Sequence, residues 1–117
     1  MSQQNLQHST ASNMQLLDRF KLHPKTKTLA ADLTVLATDP PLQFLDPGGA
    51  GRKVLLPAAS AATAGLVFVF VNKADAAEIL TIKDSTDTTT FATPTQAEAA
   101  ILFCDGVTWG GLVGASS

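Results

Sequence analysis

"GLVFVFVN", residues 65–72, sets bulky apolar side chains side by side without a break. Successive side chains of an extended chain point to opposite sides, so Leu66, Phe68 and Phe70 share one face and Val67, Val69 and Val71 the other. Both faces are apolar, and the spacing predicts a strand buried on both. At this length the run is far too short to cross a bilayer, which takes about 20 residues as a helix.

Working outward, the same grammar repeats. Upstream, "AASAATAG" is small and flexible, and before it "LQFLD" and "RKVLLP" are short apolar runs joined by "DPGGAG", where Pro presets φ and Gly accepts φ > 0. "TLAADLTVLA" alternates roughly and reads as a further strand. Downstream, "NKADAA" turns the chain into "EILTIKD", with Leu80 and Ile82 on one face, and "DSTDTTT" leads into "TFAT". After "PTQAE" come "AAILFCD", an Asp105-Gly106 pair and "VTWGGLV". Short strands at 8–12-residue spacing, with no long helix, no sequence repeat and no linker, predict an all-β fold. The expected form is a single β domain over residues 28–117, a small antiparallel sandwich or barrel.

Asp105-Gly106 signals a two-residue type I′ turn, because both central positions of that turn need φ > 0. In that register Cys104 lies across from Val107 and Phe103 across from Thr108. Phe103, Thr108, Ile101 and Gly110 then share one face, and Cys104, Val107, Leu102 and Trp109 the other, with the indole the largest block of buried area.

Residues 1–27 differ in kind. "MSQQNLQHST" is polar where a signal peptide needs an apolar core, so no autonomous export is expected. Ser12 is placed to cap a short helix presenting Leu16, Leu17 and Phe20, which His23-Pro24 would end. One or two turns are marginal alone, so this segment reads as an arm, extended or partly helical, that becomes ordered against a partner. Charge is unevenly placed along the chain: residues 1–60 hold six cations against four acids, a balance of +2, and residues 61–117 two cations against six acids, −4. Such asymmetry favours head-to-tail contacts between copies, or a basic arm on an acidic surface.

The residues that carry chemistry are sparse. A nucleophile needs a fixed base, and His8 and His23 both lie in the arm, remote from Cys104, which reads as a small strand hydrophobe. One cysteine makes no intrachain disulfide and suits a reducing cytoplasm. One Cys and two arm histidines do not furnish a zinc site, and Asp84 and Asp87 lack EF-hand spacing. "GGAG" lacks the Lys-Ser/Thr and the helix of a phosphate loop. No basic run alternates with aromatics, which argues against nucleic acid. The expectation is a protein that is not an enzyme, with no cofactor, no metal, and neither nucleic acid nor membrane as partner.

The segment from "LQFLDPGGAGRKVLLPA" through "GLVFVFVNKADAAEILTIKDS", closing on "ILFCDGVTWGGLV", resembles a pattern in small structural proteins of tailed bacteriophages. The nearest description is a head decoration, or cement, protein, with phage head and tail fibre domains as relatives by motif. The likeness spans about residues 42–113. Asp46, Gly48, Gly49, Arg52, Val54, Leu56 and Pro57 match its loop-strand motif, and Asp105, Gly106, Thr108 and Trp109 its terminal hairpin. Gly110-Gly111 departs from it, where a bulky residue after Trp109 is expected.

The resemblance implies a β-rich homotrimer on the capsid exterior, a virion component made in the host cytoplasm, clamping capsomers of the major capsid protein at local three-fold positions. The arm would reach the shell, with Leu16, Leu17 and Phe20 as apolar anchors and Arg19, Lys21, Lys25 and Lys27 as complementary charge. The alternative is a receptor-recognition module of a fibre or tail tip. A long repetitive stalk would favour it, and the sequence has none.

Overall fold

The computed structural model describes residues 21–115. These form nine strands and no helix: β1 (Pro24–Thr28), β2 (Leu33–Thr34), β3 (Leu42–Asp46), β4 (Arg52–Leu55), β5 (Val67–Asn72), β6 (Leu80–Lys83), β7 (Thr90–Ala92), β8 (Glu98–Cys104) and β9 (Trp109–Ala115). The fold is all-β, as the alternation predicts. A five-stranded sheet runs β1-β3-β5-β8-β9 and a four-stranded sheet β2-β4-β6-β7.

The pairing departs from the antiparallel arrangement expected. β1-β3-β5 and β2-β4-β6 are parallel, and only β5-β8, β8-β9 and β6-β7 are antiparallel. The first six strands alternate between the sheets, so the chain winds through three coils in which each loop crosses to the other layer instead of doubling back. Turn chemistry says that a chain turns; it does not say in which plane. "TLAADLTVLA" shows this directly, because it is not one strand but the corner between β1 and β2, fastened where Leu29 N–H donates to Asp46 O (2.7 Å) and Lys53 N–H to Asp32 Oδ1 (2.8 Å). Residues 24–27, read above as the end of the arm, belong to β1, hydrogen-bonded along β3.

Inward residues of both sheets form one core: Leu45, Phe68, Phe70, Ala100, Leu102, Cys104 and Trp109 from the larger sheet, Leu33, Val54, Leu80, Ile82 and Ala92 from the smaller. Phe68 and Phe70 stack at 5.7 Å between centroids, and the Trp109 indole tilts against Phe68 at 6.0 Å. Each such ring removes enough apolar area from water to contribute about 2–3 kcal/mol. Asn72 continues the inward row of Phe68 and Phe70 yet is fully buried. It is satisfied: Nδ2 donates to Glu78 O (2.9 Å) and Pro94 O (3.0 Å), and Oδ1 accepts from Ala74 N–H (2.9 Å), so one amide ties the β5–β6 and β7–β8 loops together. The other face of β5 is only half covered, with Val67 exposed and Val69 and Val71 intermediate, which corrects the expectation of burial on both sides.

Candidate functional site

The loop-strand motif residues Asp46, Gly48, Gly49 and Arg52 come together at one end of the strands. Asp46 Oδ1 accepts from Gly48 N–H (2.9 Å), and Arg52 Nε–H donates to Pro47 O (2.8 Å). Gly48 has φ +78°, and a Cβ there would run into the carbonyl oxygen of Leu29, so no other residue fits between this loop and the β1–β2 corner. Gly49 N–H donates to Glu78 Oε1 (3.1 Å). Carboxylate oxygens of Asp46, Asp75 and Glu78 lie within 4.8 Å of one another, a grouping able to face one cation. Its Asp46 and Glu78 already accept backbone N–H groups of the Gly48-Gly49 loop, which accounts for their convergence as a loop lock.

Pro57, Asp105, Gly106 and Trp109 meet at the opposite end. Trp109 is buried and its indole N–H donates to Pro57 O (2.9 Å), joining the two halves of the motif across 52 positions of sequence. The hairpin differs from the two-residue turn expected. Cys104 pairs with Trp109 and Phe103 with Gly110, leaving a four-residue loop in which Asp105 N–H donates to Thr108 O (3.2 Å). Asp105 Oδ1 accepts from Val107 and Thr108 N–H (2.8 Å each), and only Gly106 has φ > 0. The side chain closes the loop, so the Asp-Gly pair is served without a type I′ turn. The pairing partners change, but each residue of β8 and β9 keeps its face. Leu102, Cys104 and Trp109 are inward as predicted, while Val107 sits at the loop tip, 85% exposed. Gly111 explains part of the departure from the motif, because a Cβ there would lie 2.7 Å from Leu102 Cδ1.

The "AASAATAG" loop is tied, not loose: Thr63 Oγ1 donates to Ala58 O (3.0 Å) and accepts from Ser60 N–H (2.8 Å). Between this loop, the hairpin and the β6–β7 turn lies a shallow cleft of about 220 Å³ bordered by Pro57, Asp84, Thr89, Phe91 and Trp109. Its one carboxylate is already engaged. Asp84 accepts from Thr89 N–H (3.0 Å), the Thr88 hydroxyl and N–H (2.7 Å each) and the Thr86 hydroxyl (2.8 Å), and these bonds hold its carboxyl well below the usual carboxylate range. Cys104 is buried with the Thr63 hydroxyl 3.5 Å from its sulfur. His23 precedes β1, three strands from β8 in the sheet order and so roughly 14 Å away, out of reach of that thiol.

The surfaces of the two sheets contrast. On the outer face of the smaller one, Lys53 and Lys83 both bind the Asp87 carboxylate at 2.8 Å. Those ammonium groups, Lys53 first, lower the Asp87 carboxyl below its ordinary value. On the outer face of the larger sheet the cross-strand neighbours Val67, Ile101, Phe103 and Leu112 are 41, 38, 43 and 62% exposed, flanked by half-buried Phe44 and Val69. Neither the alternation in "AAILFCD" nor that in "GLVFVFVN" distinguishes an apolar face that packs within the chain from one that does not.

Of the arm residues, Leu16, Leu17, Arg19 and Phe20 lie outside the described residues. Lys21 is exposed just before β1, and Lys25 and Lys27 lie on β1 at the border of the larger sheet. Among the described residues no helix is long and apolar enough to cross a membrane. No protein-family model, characterised protein or solved structure matches this chain.

Proposed function

We propose that this chain is a structural protein of a tailed-bacteriophage virion, a non-enzymatic decoration protein that acts as a homotrimer on the capsid exterior and stabilises the shell by bridging capsomers. The observation that carries the reading is the use made of the motif residues. Asp46, Gly48, Arg52, Asp105 and Trp109 engage backbone groups and close loops, and so act as scaffold while the surfaces act on partners. The cleft beside Trp109 has its carboxylate taken by threonines, and the one cysteine is in the core. A protein whose motif residues build rigidity, and whose largest uncommitted feature is an apolar sheet face, suits a part that works by occupancy. Many copies, each adding modest interface energy and binding only the assembled shell, stabilise it by mass action.

In this reading the basic N-terminal segment meets the shell. Because β1 begins at Pro24, the informative truncation removes residues 1–20 and keeps all nine described strands in the chain. The truncated chain is expected to keep its far-UV spectrum and lose affinity for undecorated capsids, and the full chain to raise the temperature at which those capsids open. Unchanged affinity of the truncated chain would remove Leu16, Leu17, Arg19 and Phe20 from the account. Copy number separates decoration, at hundreds per particle, from the tail-tip alternative, at a few.

A further inference from the structure

We propose that the outer face of the five-stranded sheet, bordered by the free edge of β9, is the surface on which a second copy of this chain packs. The assignment rests on the self-association in the reading above and names its surface. Alternation sends every second residue of each strand outward in both sheets. In the smaller sheet those positions hold Thr34, Lys53, Thr81 and Lys83 beside half-buried Leu55, whereas from β3 to β9 of the larger sheet they are apolar or glycine. The exception is Asp46 at a strand end, which accepts from Gly48 N–H. One outer face is therefore mostly polar and the other mostly apolar.

Four strands about 4.8 Å apart, with outward residues about 7 Å apart along each, make this face roughly 300–400 Å² in extent. That is about half of the ~800 Å² a partner contributes to a standard stable interface. β9 supplies more. It lies at the end of the sheet order, Gly110 to Ala115 are all exposed, and Val113, directed to the inner side, is still 44% exposed. An apolar border strand open on both sides is a template for further pairing, and a closed ring of copies removes that hazard where an open contact would propagate into a fibre.

The chemistry selects the occupant. The face is flat and uncharged, offering nothing with which to read a charged partner, and interfaces of this character belong to permanent homomeric assemblies. None of the described residues covers it, and the one partner always present at matching concentration is another copy.

The test uses the full chain, with sedimentation and light scattering across a concentration series. The wild type is expected as a trimer, with Phe103→Glu and Leu112→Glu each weakening association by roughly a hundredfold or more while far-UV spectra are retained. Val107→Glu, at the hairpin tip, should leave assembly intact. On the unmodified chain, dilution through dissociation should release hydrogen-exchange protection in β8 and β9 and not in the 84–89 turn. A trimer indifferent to both glutamate variants, with β8–β9 protection unchanged on dilution, would overturn the surface while leaving self-association standing. A wild type monomeric up to millimolar concentration would overturn both, and β8–β9 protection lost from a monomer on removing residues 1–20 would assign the face to the chain's own N-terminal segment instead.

Discussion

Replacing Trp109 with alanine removes the one side chain that joins the hairpin, the core and the Pro57 loop. The indole is 4% exposed, leans on Phe68 at 6.0 Å and donates to Pro57 O at 2.9 Å. Truncating a buried aromatic costs about 3–5 kcal/mol, through lost transfer energy and the cavity left behind. Stranding the Pro57 carbonyl adds roughly 1 kcal/mol where water does not reach it. For a domain of this size 1 kcal/mol shifts the melting temperature by about 4–5 °C, so the variant should melt on the order of 15–30 °C below the parent. Trp109→Phe separates the two contributions, since it keeps most of the apolar area and loses the hydrogen bond, and should cost about 1–2 kcal/mol. Because Trp109 is the sole tryptophan, unfolding is followed by far-UV circular dichroism in urea, with the parent's fluorescence as a second probe. A Trp109→Ala protein melting within about 3 °C of the parent would show that the indole is not packed as described, and would return it to the surface as a recognition group.

Gly48→Ala should destabilise by roughly 2–4 kcal/mol, because a Cβ meets Leu29 O and φ +78° is strained for alanine, whereas Gly49→Ala, with open space around it, should cost only the backbone strain of about 1–2 kcal/mol; equal urea midpoints for the two would refute the close approach. Asp84, Glu98 and Asp105 all titrate below their ordinary values of 3.8, 4.5 and 3.8, held down chiefly by N–H groups of Thr89, Thr95 and Thr108 respectively. A depressed folded-state value means stability fully present above the ordinary value and lost as pH falls below it. The urea midpoint should therefore hold from neutrality to about pH 5 and fall through 4.5 and below, with a shallower fall in Asp84→Asn; a midpoint insensitive to acid would contradict those bonds.

The all-β class was legible because alternation is a local signal, carried by "GLVFVFVN" and "EILTIKD" alone. The inward identities of Leu102, Cys104 and Trp109 were legible too, and survived an error in the turn, since shifting partners without changing parity keeps every side chain on its face. Sheet connectivity was not. Parallel partners are Pro24 with Leu42 and Leu42 with Val69 in one sheet, Leu33 with Val54 and Arg52 with Leu80 in the other. The coils thus differ in length, and no fixed period marks them in the sequence. Asn72 was hidden for a related reason, as it holds the loop that follows it, at Ala74 and Glu78, to Pro94 of the β7–β8 loop, which only the fold brings near. Thr63 looked like part of a flexible run because its bonds are to backbone, which composition does not register.

The most direct test of the central claim is an image reconstruction of virions that carry this chain compared with virions that lack it. The account predicts difference density on the outer capsid surface at local three-fold positions, three copies to each, with the apolar sheet faces turned toward the three-fold axis. Density confined to the tail tip, or none on the particle, would contradict it.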